Sequence, residues 1–250
     1  MDYEKYRQAI NLRMSCRKFT GSPITEADLD KLRALVCAYN EESGLSMQLI
    51  IGDPAPFDAK QAMGLFQGSA GYLALIGKTN DPNRMEKEGY FGERFVLEAT
   101  SMGLGTCWVA SSFDKDKSKA AARDDETFDI AIVFGKGEQK LSIREKIVRT
   151  YLGTNHRTQE DIAPDAQFAP DWFKNGIEAV MKAPSTKNTK PFSFSFENGT
   201  ATTKTVGNHE RVKVDLGIAK LHFEVGAGGG RWELGDGARY DREAGGALSP

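Results

Sequence analysis

The chain has 250 residues, 40% hydrophobic and 27% charged, the balance of an ordinary soluble protein with room for one large core or two small ones. Its 33 basic and 35 acidic residues leave a net charge of −2, which excludes an electrostatic footprint for nucleic acid or an anionic membrane. Cys16, Cys37 and Cys107 are widely spaced with no Cys-x-x-Cys pair, so neither a disulfide framework nor a metal site is expected, and a reducing compartment fits best.

Tyr3, Tyr6 and Ile10 fall at helical spacing and predict an opening helix over 3–12. The first residues carry no apolar signal core, and no apolar run approaches the ~20 residues that span a bilayer; the expectation is a cytoplasmic protein with no membrane association. An extended segment, Arg13-Met14-Ser15-Cys16-Arg17, follows the helix. Thr25, with acidic residues behind it, is the expected N-cap of a second helix running to about Ala38. Met47–Ile51, Tyr72–Ile76 and Ile130–Phe134 read as strands. Between the last two, Phe91, Phe95, Ala99 and Met102 form the apolar face of a long helix that ends in the glycines of Gly103-Leu104-Gly105-Thr106-Cys107-Trp108.

Ser142-Ile143-Arg144-Glu145 is a capping box and predicts a short helix over 142–149. The polar stretch from Tyr151, with Pro164 and Pro170, reads as a crossover linker. Phe173, Ile177, Val180 and Met181 then predict a helix stopped by Pro184, and Phe192, Phe194 and Phe196 alternate with serines as a strand. From about Asp236 no periodicity remains, which predicts a loose tail. The halves echo one another: helix then strand in each, and Val96-Leu97-Glu98, glycines and Trp108 matched by His222-Phe223-Glu224, glycines and Trp232. The predicted organisation is a first half over 1–150, a linker over 151–169, a reduced second half over 170–235 and a tail over 236–250.

Two motifs carry chemistry. In an extended segment alternate side chains share a face, so Arg13, Ser15 and Arg17 can converge on one anion while Met14 and Cys16 face inward. Two guanidiniums beside a hydroxyl make a phosphate clamp. The second motif is Ala183-Pro184-Ser185-Thr186-Lys187-Asn188. Each has a plainer reading by itself: a solvated sheet face for the first, a helix stop for the second, and a helix C-cap with a core Trp for Gly103–Trp108. His156, His209 and His222 are too scattered for a metal set, and His222 and Glu224 do not share a helix face. No Gly-x-Ser-x-Gly turn supports a hydrolase triad, and no Gly-x-Gly-x-x-Gly follows a strand.

Taken in order, Arg13-x-Ser15-x-Arg17, a helix, Gly103–Trp108 and Ala-Pro-Ser-x-x-Asn resemble the nitroreductase family of FMN-dependent oxidoreductases, and in particular its single-chain branch with two half-domains fused in tandem. The resemblance covers most of residues 3–225. It implies an α+β nitroreductase-like fold built as an intramolecular pseudo-dimer, monomeric, with one FMN per chain and NAD(P)H as a transient hydride donor. Arg13 and Ser15 are then expected at the phosphate and ribityl end, Arg17 at the pyrimidine edge, and Gly103, Leu104 and Gly105 at N5. Pro184, Ser185 and Asn188 would cover the ring from the other half, and Lys140 would be a further phosphate ligand. The first half has Ala38-Tyr39-Asn40-Glu41-Glu42 where a second Ala-Pro-Ser would stand, so the complementary site is expected to be decayed. The family often has Gln-Pro-Trp after the Asn; this chain has Thr189-Lys190-Pro191-Phe192, which removes any Gln contact to the ring. The implied activity is ping-pong hydride transfer to an electrophile such as a nitroaromatic or quinone, with the flavin and no side chain as the catalytic group. A flavin- or ligand-binding protein without turnover and an enzyme that consumes its flavin remain as alternatives.

Overall fold

The computed structural model describes residues 1–57, 65–110, 113–137, 157–209 and 211–244. The expected helix at 142–149 and the residues before 157 in the expected linker lie outside them. The chain divides into two compact units, a first of Leu12–Arg84 and Phe95–Lys146 and a second of Met1–Asn11, Met85–Arg94 and Ile147–Pro250. This differs from the division in chain order expected at residues 150 and 170, because two segments of the amino-terminal half pack with the carboxy-terminal half.

In the first unit, helix α2 (Glu26–Ser43) starts as its sequence predicts: the Thr25 side chain accepts the Asp28 amide. It runs past Ala38, however. No proline stops it, Tyr39 is buried one turn beyond Val36, and the helix ends only where Gly44 adopts the left-handed conformation at φ 72°. Tyr39–Glu42 are thus helical, and no loop stands where a second Ala-Pro-Ser would be. Strands β1 (Gln48–Ile51), β2 (Gly71–Lys78), β3 (Gly105–Val109) and β4 (Glu126–Gly135) form an antiparallel sheet of order β1-β2-β4-β3. β2 is buried from Gly71 to Gly77, which is why it reads as an unbroken apolar run. Phe57, Phe66, Tyr72, Cys107, Phe128 and Val133 lie in its core.

The second unit repeats that strand order. Strands β5 (Phe192–Glu197), β6 (Thr200–Thr205), β7 (Arg231–Trp232) and β8 (Ala238–Asp241) form a sheet of order β5-β6-β8-β7. The expected loose tail is therefore corrected in part: β8 pairs with β6 and β7, and its Tyr240 is buried. Four strand residues, of which only Ala238 and Tyr240 are buried, are too short a pattern to stand out in the sequence. The end of the expected linker is also structured. Thr158 caps a helical turn, α4 (Gln159–Ile162), and Ile162, Ala163, Ala166 and Ala169 enter the core with Phe173, Phe194, Phe223 and Trp232.

Two helices dominate this core, α5 (Asp171–Met181) and α6 (Val212–Ala227). Every residue of α6 from Val214 to Gly226 is buried, so its polar side chains need partners. Three of them find partners on residues 85–94 of helix α3 (Arg84–Ser101): Lys220 pairs with Glu86, His222 with Glu93 at 3.0 Å, and the Tyr90 hydroxyl donates to Glu224. Glycines allow the approach. A Cβ on Gly89 would lie 2.1 Å from the Val214 carbonyl oxygen, and one on Gly217 would lie 2.0 Å from that of Glu86. His222 and Glu224 are thus structural residues of the core, held by long-range partners.

Candidate functional site

Helix α1 (Tyr3–Leu12) gives way to the expected extended segment. Ser15 bridges Thr106 in parallel, and the Cys16 amide donates to the Thr106 carbonyl at 2.8 Å. Further along, the Phe66 amide donates to the Arg17 carbonyl at 2.9 Å and the Phe19 amide to that of Gln67 at 3.2 Å. The segment is therefore a fixed strand-like insert of the first unit. Alternation holds on one side, where Arg13, Ser15 and Arg17 are each half-buried, and on the other it holds only for Cys16. Met14, expected inside, is 43% exposed; the contact with Thr106 begins at Ser15 and leaves nothing over Met14 to bury it.

The Gly-rich loop is built in two steps. α3 ends at Ser101, and Gly103 takes φ 77° while its amide donates to the Thr100 carbonyl and that of Leu104 to the Ala99 carbonyl, both at 2.9 Å. That paired cap requires a left-handed residue, so the helix-cap reading of Gly103 is correct as far as it goes. Beyond it, β3 starts at Gly105, where a Cβ would lie 2.8 Å from both Cβ and Sγ of Cys16. The loop and the Arg13–Arg17 segment, distant in sequence, are thereby brought together. Lys140 lies outside the described residues.

The second motif belongs to the second unit and is described by itself. After α5 the chain makes a turn of 3-10 helix, Thr186–Asn188. Lys187, Asn188 and Lys190 have φ of 49°, 58° and 48°. Three non-glycine residues in the left-handed region cost roughly 1–3 kcal/mol each, a strain that persists only where surroundings impose it. Here they do: the Lys190 amide donates to Ser185 Oγ and its Nζ to the Ala183 carbonyl, each at 2.9 Å, and the Thr186 amide donates to Asp215 Oδ1 at 2.9 Å. Pro184, Ser185 and Asn188 are half-buried.

A family model described as "Putative TM nitroreductase" matches residues 5–227. The chain belongs to that nitroreductase family. It is a family of oxidoreductases, and the mixed helix and sheet fold expected from the motifs is the fold found. The chain is similar to a structure described as a "putative nitroreductase" from Thermotoga maritima MSB8, at 20% identity and TM-score 0.64 over 96% of this chain and 94% of that one. It is also similar to a nitroreductase family protein from Clostridium novyi NT, at 19% identity and TM-score 0.43 over 54% and 86% of the two chains. An FMN-dependent nitroreductase from Clostridium difficile R20291 aligns at 15% identity and TM-score 0.44 over 54% and 88%. Identities this low speak for fold, and only the first alignment is deep enough to do so. No curated protein matches the chain. Among the described residues no helix is long and apolar enough to cross a membrane.

In this family member, residues outside the motifs hold the second loop. Asp215 in α6 and Lys190 are both buried, and His209 stands 3.5 Å from the Asp215 carboxylate. No local signal marked them: Lys190 ends the polar run 185–190 and Asp215 stands two residues after Lys213, and only burial makes each charge require a partner. Burial raises the Asp215 carboxyl to about 7, against the Thr186 amide and hydroxyl and the Lys190 charge, which favour the carboxylate. Burial, then the charges of Arg211 and Lys187, depress the His209 imidazole.

Proposed function

We propose that the chain is an FMN-dependent oxidoreductase that oxidises NAD(P)H and reduces an electrophilic acceptor such as a nitroaromatic or quinone by a ping-pong scheme. One observation carries the reading: the Arg13-x-Ser15-x-Arg17 segment is hydrogen-bonded to Thr106 of the Gly-rich loop, so the two motifs with the most specific resemblance occupy one place in the first unit. The donor set fits the cofactor. Two guanidiniums and a hydroxyl at alternating half-buried positions match a phosphate dianion and its neighbouring polar chain. Membership of the nitroreductase family agrees with it.

Bound FMN would supply hydride acceptance and donation. Arg13 and Ser15 are assigned to its phosphate and ribityl end. Arg17 is assigned to the pyrimidine edge, where a cation favours the charge that reduction brings. Gly103, Leu104 and Gly105 are assigned to the N5 side of the ring; the Gly103 and Leu104 amides already cap α3, so the loop's contribution there is the close approach that glycine at 105 permits. Pro184, Ser185 and Asn188 are assigned to the same flavin by the order of the motifs along the chain. The matching strand orders of the two sheets support a fused, duplicated architecture, in which a single chain in the cytoplasm carries one FMN as a pseudo-dimer. The test is the visible spectrum of purified protein mixed with FMN and freed of unbound flavin. A retained band at roughly 450 nm, bleached by NAD(P)H without air, is the expected result. A retained band that NAD(P)H leaves unchanged would indicate a flavin-binding protein without turnover, and no retained band would sink the assignment.

A further inference from the structure

Asp215 is 3% exposed and stands at the fourth position of α6, after Arg211. An acid in the first turn of a helix ordinarily caps its own helix amides at the surface. Asp215 instead reaches out: Oδ1 accepts the Thr186 amide at 2.9 Å and faces the Thr186 hydroxyl at 3.4 Å. Its other oxygen faces His209 Nε2 at 3.5 Å, while His209 Nδ1 accepts the Arg211 amide at 3.2 Å. One carboxylate thus ties the start of α6 to the turn that carries Ser185 and Asn188. The turn contains two left-handed non-glycine residues, Lys187 and Asn188, and Lys190 just beyond it is a third, a backbone that relaxes unless it is held.

We propose that Asp215 is a positioning residue of the Ala183–Asn188 loop, its carboxylate fixing the Thr186 amide and through it Ser185 and Asn188, with His209 as the group that stabilises its charge. The inference rests on the assignment of this loop to the flavin. The groups that face Asp215 are the Thr186 amide and hydroxyl, Lys190 and His209; those that face His209 are Asp215, Arg211 and Lys187. A charged acceptor binds an amide more strongly than a neutral one. The Thr186 bonds lower the Asp215 pKa while burial in α6 raises it, so a carboxyl that stays buried when the loop detaches holds its proton more tightly; protonation therefore loosens Thr186, and loss of loop order and of flavin affinity follows as pH falls through about 7.

Two measurements test this. The first is residue-resolved amide exchange of Thr186 in the protein without flavin, corrected for intrinsic rates. Protection is expected to fall about tenfold on acidification across the Asp215 titration, and to lose that pH dependence in Asp215→Asn. In His209→Gln, a variant that leaves the buried carboxyl in place, the midpoint is expected to move to higher pH: Nδ1 accepts the Arg211 amide, so the neutral ring carries its proton on Nε2, and that N–H facing the carboxylate is removed. A Thr186 profile that is flat in the parent, or identical in all three proteins, overturns the proposal. The second is FMN affinity against pH by flavin fluorescence, expected to weaken on acidification in the parent and to be flattened in Asp215→Asn. A parent that binds FMN with a pH profile unchanged by Asp215→Asn also overturns it. A parent that binds no FMN refutes the functional reading instead, and the exchange profile then decides the role of Asp215 alone.

Discussion

Cys16 occupies the space that a side chain at position 105 would need: a Cβ on Gly105 would lie 2.8 Å from both its Cβ and its Sγ. The same cysteine offers its amide to Thr106, so glycine at 105 lets the Arg13–Arg17 segment lie against β3. Gly105→Ala is expected to destabilise the protein by about 1–3 kcal/mol in urea denaturation and to weaken FMN binding. Combining it with Cys16→Gly removes the clash and is expected to recover part of the loss. Wild-type stability in Gly105→Ala would show that this contact does not brace the segment.

In the proposed function Arg13 and Arg17 hold the flavin. Replacing either with Ala is expected to weaken FMN binding roughly ten- to hundredfold, the worth of a charge-assisted hydrogen bond at about 1.5–3 kcal/mol. Unchanged affinity in both variants contradicts the assignment of this segment to the flavin.

Lys220 and Glu86 form an ion pair with both side chains almost wholly buried, and Lys220 Nζ also donates to the carbonyls of Glu233 and Gly235 at 2.9 and 3.0 Å. Burial lowers the lysine pKa, against the pull of Glu86. Lys220→Met leaves Glu86 buried without its cation and is expected to cost about 3–5 kcal/mol. Adding Glu86→Leu should cost less than the sum of the two single changes. Strict additivity in that double-mutant cycle would mean the two charges do not depend on one another.

Glu224 is buried between Tyr90 and the Trp232 amide, and burial raises its carboxyl to about 7 from 4.5. A carboxyl raised by folding stabilises the fold fully below its unfolded value, and that contribution is lost as pH rises through the folded value. Stability is therefore expected to decline between about pH 4.5 and 7 by up to about 1.4 kcal/mol per unit from this group. Asp215 acts in the same window. Denaturation of Glu224→Gln across that range should give a shallower slope than the parent. Equal slopes would show that Glu224 does not titrate there.

Much of the architecture was legible because it is local. Phe91, Phe95 and Ala99 recur at helical spacing, and all three are buried. Thr25 caps the helix it precedes, and Phe192 and Phe194 alternate into a core as their pattern predicts. The candidate site was legible as motifs. The partners that hold it were not: Asp215 follows Thr186 by a whole sheet hairpin, and no periodicity connects a carboxylate to the amide it accepts. Met14 failed for a related reason, since alternation assigns a side to each residue but does not say whether anything covers that side.

The sequence by itself therefore determined the order and kind of the principal elements, the extended Arg13–Arg17 face, and the family to which they belong, because backbone conformation and facing are set within a few residues. Only the tertiary structure decided that Tyr39–Glu42 continue a helix, that residues 238–241 close a sheet, and that residues 85–94 serve the carboxy-terminal core. It alone matched Lys220, His222 and Glu224 with Glu86, Glu93 and Tyr90. Those outcomes depend on which distant surfaces are left to bury and which polar groups still require a partner, and packing of the whole chain settles both.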